Sequence, residues 1–305
     1  MPYETYKEKR FSADTRAIID AANEIIAEYL AQGFKLTLRQ LYYQFVSRDM
    51  IENTAREYNR LGTIINNGRL AGMIDWEAIE DRTRNVIAYD HWEKPEDIIR
   101  DAAGWYRVDR WKGQSIRPEV WIEKDALVGV LEKVCQEFDV PLFSCRGYTS
   151  QSEMWNASKR FDQYLCNGQI PFVIHLGDHD PSGIDMTRDI EDRTKMFLTT
   201  DAERFGLIRI ALNFNQIEKW NPPPNFAKIT DTRARKYIRE YGKSSWELDA
   251  LEPSILVSLV TAAINGTRNK KLWNATMQRE KKDRERLLGF ALDKKAKKKK
   301  KGRKK

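Results

Sequence analysis

Apolar residues near the start of the chain recur with a helical period. Ile18, Ile19, Ala22, Ile25, Ile26, Tyr29 and Leu30 follow at three- and four-residue spacing, with Ser12 as a candidate N-cap and Gly33 as a stop. Thr37 and Gln40 have capping-box spacing and predict a second helix through LRQLYYQFVSR. Thr54 and Glu57 repeat that spacing and predict a third helix reaching toward Asn67-Gly68. After it, DWEAIEDRTR and NVIAYDHW have the look of short strand or turn pieces. Three helices and a small hairpin suit a winged-helix unit over residues 1–112, whose third helix would enter a DNA groove. Arg56, Arg60 and Arg69 on that helix suit phosphate contacts, and equally suit a solvated helix face.

From residue 118 the pattern changes. Short apolar runs (PEVWIEK, PLFSCRG, PFVIHLGD, LIRIALN) alternate with amphipathic stretches of helical period. Strands alternating with helices imply right-handed crossovers and a parallel, doubly wound sheet. The fold class expected is therefore α/β, with an N-terminal helical domain and a parallel α/β domain over residues 113–262. Pro222-Pro223-Pro224 marks a rigid connection. A helix is expected around TRARKYIREYG, and Pro253 fits the first turn of an apolar helix. A C-terminal helix over 263–292 then leads into a lysine tail, 293–305, expected to be disordered.

Composition narrows the class. The longest apolar stretch, Ile255 to Ile264, is broken by Ser258 and Thr261 and is about half of the ~20 residues a membrane span needs. The opening residues turn charged at once, so no secretory signal is expected. Three cysteines without a CxxC pair argue against a disulfide framework or zinc knuckle and for a reducing, cytoplasmic setting. The net charge is +8, but residues 294–305 hold ten Lys or Arg and no acid. Without them 43 basic residues face 45 acidic ones, a net of −2. The surplus sits in the tail, where Lys297, Lys298 and Lys299 would hold nucleic acid without sequence preference.

In an open parallel sheet, sites form at the carboxyl ends of the strands. Glu123 ends the first strand, Arg146-Gly147 the second and Asp178-His179-Asp180 the third. Carboxylates converging there repel one another unless a cation joins them, and an all-oxygen set favours Mg2+ or Mn2+ and phosphoryl chemistry. Taken singly, Glu-Lys at a strand end suits a surface ion pair and DxDPSG suits a turn. His175 is expected to lie in the core and His179 to face solvent, with phosphate contact or proton transfer as its alternative role; Glu247 and Asp249 are expected to be structural, with a place at the metal site as their alternative.

EVWIEKDAL, the glycine in CRGYT, and HLGDHDPSG resemble the Toprim domain. Asp178, Asp180, Pro181 and Gly183 reproduce the Asp-x-Asp-Pro-x-Gly form found in the topoisomerase VI A subunit and its relative, the meiotic double-strand-break transesterase. TLRQLYY, Thr37 to Tyr43, resembles the motif on a winged-helix helix of that family, with Gln40 in its acidic place. The resemblance covers roughly residues 10–255. It implies Tyr43 as nucleophile, forming a phosphotyrosine link to a DNA end, Arg39 as its helper, and Glu123, Asp178 and Asp180 as ligands of Mg2+. In that family tyrosine and metal come from opposite subunits, which implies a homodimer. A separate GHKL-type ATPase subunit is the partner implied for strand passage, and a DNA-associated location in the cytoplasm follows. Read from the residues alone, Tyr43 also suits a core position. A Toprim nuclease or nickase using metal-activated water, and a non-catalytic DNA-binding protein, stand as alternatives.

Overall fold

The computed structural model describes residues 3–79, 89–226 and 233–302, with the backbone alone for Phe226 and residues 291–302. Three helices open it: α1 (Ala13–Ala31), α2 (Leu38–Ser47) and α3 (Ala55–Leu70). Their apolar faces meet in one core built on Ile19, Ile25, Tyr29, Leu41, Phe45 and Leu61. The predicted caps close two of them as expected. Ser12 Oγ accepts from Thr15 N, and Thr37 and Gln40 exchange both bonds of a capping box. At α3 only half the box forms: Thr54 Oγ1 accepts from Glu57 N, while the Glu57 carboxylate turns to Arg60. The hairpin expected after α3 falls mostly on residues 80–88, outside the described residues.

A helix not anticipated from the sequence follows, α4 (Pro95–Trp105). Its signals are present: proline in the first turn with Glu96 and Asp97 beside it, where acidic side chains favour the helix dipole.

Strands β1 (Ile116–Ile122), β2 (Leu142–Ser144), β3 (Ile170–Leu176) and β4 (Gly206–Ala211) form a wholly parallel sheet in the order β2-β1-β3-β4. Strand alternation sends Val120, Ile122, Ile174 and Leu176 to one face. There they pack against α5 (Val128–Glu137) and α10 (Pro253–Thr267). Trp121 and Val173 point to the other face, against α6 (Gln151–Cys166) and α7 (Pro181–Phe197). The predicted doubly wound α/β arrangement is thus present, with a topological switch point between β1 and β3.

The remaining elements border the sheet: α8 (Phe214–Trp220), a β-pair of β5 (Asn225–Phe226) with β6 (Ser244–Ser245), and α9 (Ala234–Tyr241). The last helix, α11 (Lys270–Gly302), packs near its start on α4 and on the segment before β1, where Arg110 pairs with Glu280. It runs on into the lysine segment for which composition predicts disorder; lysine and alanine are good helix formers and extend a helix already nucleated. The side chains of Lys297, Lys298 and Lys299 lie outside the described residues. Among the described residues no helix is long and apolar enough to cross a membrane.

Candidate active site

The switch point collects the predicted carboxylates. Ile122 of β1 lies beside Leu176 of β3, so the residues that follow each strand emerge together. Glu123 N donates to Leu176 O at 2.9 Å, and Asp178 N donates to Glu123 Oε2 at 2.8 Å. Asp178 Oδ1 accepts from Leu248 N at 2.8 Å, while its Oδ2 lies 2.7 Å from Lys124 Nζ. Asp180 is engaged locally, as the N-cap of α7. Its Oδ1 accepts from Gly183 N at 2.6 Å and Ser182 Oγ at 2.8 Å. Pro181 suits the first position of that helix. Gly183 is required, because a Cβ there would lie 2.2 Å from Asp178 O.

Arg209, on β4, joins the site without having been anticipated from the sequence. It donates to the carbonyls of Gly177, Asp178 and Gly183 at 2.8, 2.5 and 2.9 Å, tying the acidic loop to the sheet. Burial pulls this guanidinium down to about 10 even beside Glu123 and Asp178. Its one sequence signal is a charged residue inside an otherwise apolar strand.

His179 departs from expectation. It is buried rather than facing solvent, because its backbone exchanges hydrogen bonds with Trp246 at 2.8 and 2.9 Å. The ring packs among Phe214, Tyr237, Tyr241 and Trp246, with Nδ1 2.7 Å from Tyr237 Oη. His175 does lie in the core, its Nδ1 3.0 Å from Thr187 Oγ1.

From the other side α2 presents Arg39 and Tyr43, one helical turn apart. Arg39 Nη2 donates to Tyr43 Oη at 3.3 Å. Arg39 also pairs with Glu247, and its Nε lies 3.0 Å from Asp249 Oδ2. Glu247 and Asp249, for which the sequence favours a structural role over a place at the site, therefore lie within it. Lys124 completes the cluster at 3.2 Å from Glu247. Asn225 Nδ2 donates to Tyr43 Oη at 3.4 Å and to Glu247 Oε1 at 3.3 Å. Tyr42 is packed, as its position on the helix suggests, and its hydroxyl engages Asn53 Oδ1 at 3.0 Å and Thr54 O at 3.2 Å.

These groups line a cleft of about 430 Å3 that includes Arg39, Tyr43, Lys124, Asp178, Asp180 and Glu247. Tyrosine and acidic loop thus meet within one chain, whereas the family resemblance implies that they meet across a dimer. The geometry follows from α2 packing directly on the turn at Leu248–Ala250.

The electrostatics are those of crowded carboxylates. Burial and the Glu123 charge push Asp178 up to about 8, against the pull of Lys124. Burial likewise leaves Glu123 and Asp249 above the usual carboxylate range. Glu247, despite its burial, is held below that range by Lys124 and Arg39. Burial opposes the charge on Lys124, yet Asp178, Asp249 and Glu247 together keep it a firmly held ammonium. Tyr43 is 3% exposed, and burial with the nearby Glu247 and Asp249 charges raises its phenol above the ordinary tyrosine range.

The donor set suits a hard divalent cation in its chemistry: it is oxygen-only, it carries more negative than positive groups, and Asp249 Oδ1 is buried without a hydrogen bond. In its arrangement it is not a ready cage. Among the described residues no group of three or more His, Cys, Asp or Glu is placed to hold a metal ion, and the Lys124 ammonium answers the charge on Asp178.

The arginines of α3 divide. Arg56 is exposed, Arg60 pairs with Glu57 at 2.8 Å, and Arg69 turns inward over Trp76, donating to Trp76 O at 2.6 Å. Comparison with protein-family models, with curated proteins and with solved structures finds no match to this chain.

Proposed function

We propose that this protein cleaves DNA by transesterification through Tyr43, in the manner of the topoisomerase VI A subunit, with a winged-helix unit in the N-terminal helices and a Toprim-type α/β domain. One observation carries the reading: a tyrosine with an arginine one turn away opens into the same cleft as the acidic switch-point loop. The phenolic oxygen of Tyr43 forms a new ester bond to the scissile phosphorus while the bond from phosphorus to the departing deoxyribose oxygen breaks. Asn225 and Arg39 both donate to the phenolic oxygen, and its proton passes through solvent in the cleft to the departing deoxyribose oxygen. Arg39 stabilises the phenolate and then the charge on the phosphoryl oxygens, where a preorganised donor is worth most. Lys124 supplies a second fixed positive charge. Glu123, Asp178 and Asp180 would hold Mg2+ or Mn2+, whose chemistry when bound is to polarise the phosphoryl oxygens. Two chains, one per strand, would serve a double-strand break, so a homodimer belongs to the proposal, as does a separate ATPase partner for strand passage.

A second reading rests on the burial of the Tyr43 phenol. If that hydroxyl never reaches the phosphate, metal-activated water is the nucleophile and the protein is a nuclease. Incubation with supercoiled plasmid and Mg2+, followed by denaturation, separates the readings. Covalent protein–DNA adducts that vanish in Tyr43→Phe are expected. Cleavage that survives Tyr43→Phe and is lost in Asp178→Ala would establish the nuclease. Binding without cleavage under any divalent metal would leave a DNA-binding protein only.

A further inference from the structure

At the opposite end of the sheet, about 23 Å away along the seven residues of β1, lies a second cleft of about 570 Å3. It opens between the end of α5, the segment leading into β1 and the first turns of α11. Arg107, Arg110, Lys133, Arg268 and Arg284 line it, with Glu137 as the one acid of the lining. Two of the five cations are paired within the fold and share one carboxylate: Arg110 and Arg284 lie 2.8 and 2.9 Å from the same oxygen of buried Glu280. The other three are not. Among the described residues Arg107 and Lys133, both exposed, make no ion pair or hydrogen bond. Arg268 stacks 5.1 Å over Phe138 and 5.0 Å over Trp273, and its Nε is buried without an acceptor.

A buried donor left without a partner is unfavourable, and gathered cations repel. An anion with several acceptor oxygens relieves both, and phosphate suits guanidinium donors best. Outside its lysine tail the chain has a net charge of −2, so this concentration of positive charge is local. On the side of α11 that borders the cleft, helical phase places Lys270 and Lys281 near Met277 of the lining, and both are exposed. From Lys270 to Lys281 the helix extends about 16 Å at ~1.5 Å per residue. Over that length duplex DNA presents on the order of 10 charges. A single phosphate or nucleotide would leave most of this surface unmatched.

We propose that this cleft and the adjoining face of α11 bind the phosphate backbone of a DNA segment distinct from the one in the candidate active site. The proposal rests on the reading that the protein acts on DNA, and its test is separate from that of cleavage. The full chain and an Arg107→Ala/Lys133→Ala variant are titrated with a fluorescein-labelled 30-bp duplex between 50 and 200 mM salt. Losing two phosphate contacts is expected to lower the slope of log affinity against log salt by about 1.8. An Arg107→Lys/Lys133→Arg variant is expected to restore it, which a fold defect would not allow. An unchanged slope in the alanine variant overturns the proposal, even where Tyr43-dependent adducts still form. A reduced slope in the absence of adducts upholds the second contact while the transesterase reading fails. Inorganic pyrophosphate is the remaining probe. Binding of pyrophosphate that depends on Arg107 and Lys133, with duplex affinity independent of them, would assign the cleft to a free phosphate ligand and overturn the DNA occupant.

Discussion

At the residue scale, burial sets the chemistry more than identity does. His175 and His179 illustrate this: burial drives them to about 3 and about 4 from an ordinary value near 6.5. Each folded pKa lies below the unfolded one. Their contribution to stability is therefore fully present above about pH 6.5 and is lost as pH falls toward the folded values. Asp178, raised to about 8, acts oppositely in the same window, so the histidine effect is read as a difference between proteins. Urea unfolding midpoints measured at pH 7.5, 6 and 5 are expected to converge between the parent and His175→Gln as pH falls. Parallel curves for the two proteins would contradict this. Asp178 and Tyr43 were identifiable in the sequence as candidates. Their altered proton affinities were not, because these depend on neighbours such as Glu123 and Glu247, far away in the chain.

Among the elements, α2 is the one on which the site depends. Its capping box holds the first turn, from which Arg39 and Tyr43 project one turn apart. The box also gives Gln40 a local role of its own, at the position where the motif that this helix resembles has an acid. Glutamine reaches back to Thr37 N at 2.9 Å and completes the capping box. Thr37→Ala is expected to cost about 1 kcal/mol of stability by chemical denaturation and to lower adduct yield, while Thr37→Ser, which keeps the capping hydroxyl, leaves both nearly unchanged. Equal losses in the two variants would show that the hydroxyl is not what matters. Capping signals are local and were legible for α1 and α2. The proline and acids that begin α4 were equally local, but its apolar face became interpretable only against α11.

For the whole molecule, the N-terminal helices and the α/β domain are joined by more than charge. Phe34 packs against both principal cores, Ala250 belongs to the helical core, and Tyr29 hydrogen-bonds Glu252. The Arg39 pairs with Glu247 and Asp249 add to this junction. Phe34→Ala is expected to destabilise the protein by about 3 kcal/mol and to split a single calorimetric transition into two. An unchanged single transition would show that the junction contributes little. Because the junction holds Tyr43 in the cleft, the same variant is expected to reduce adduct formation under conditions where it remains folded.

What the sequence determined by itself is whatever neighbouring residues encode. The helical and strand periods, the caps at Ser12 and Thr37, the parallel order implied by alternating strands and helices, and the gathering of Glu123 and Asp178 at strand ends all follow from patterns within a few residues or from strand chirality. Tertiary structure alone decided the rest. It made Lys124 the counter-ion of Asp178, drew Glu247 and Asp249 to Arg39 across 208 residues of chain in the case of Glu247, buried His179, and brought Tyr43 to the acidic loop within one chain. The reason is physical: charge compensation and burial are properties of who lies next to whom, and no local period records contacts made by folding distant segments together.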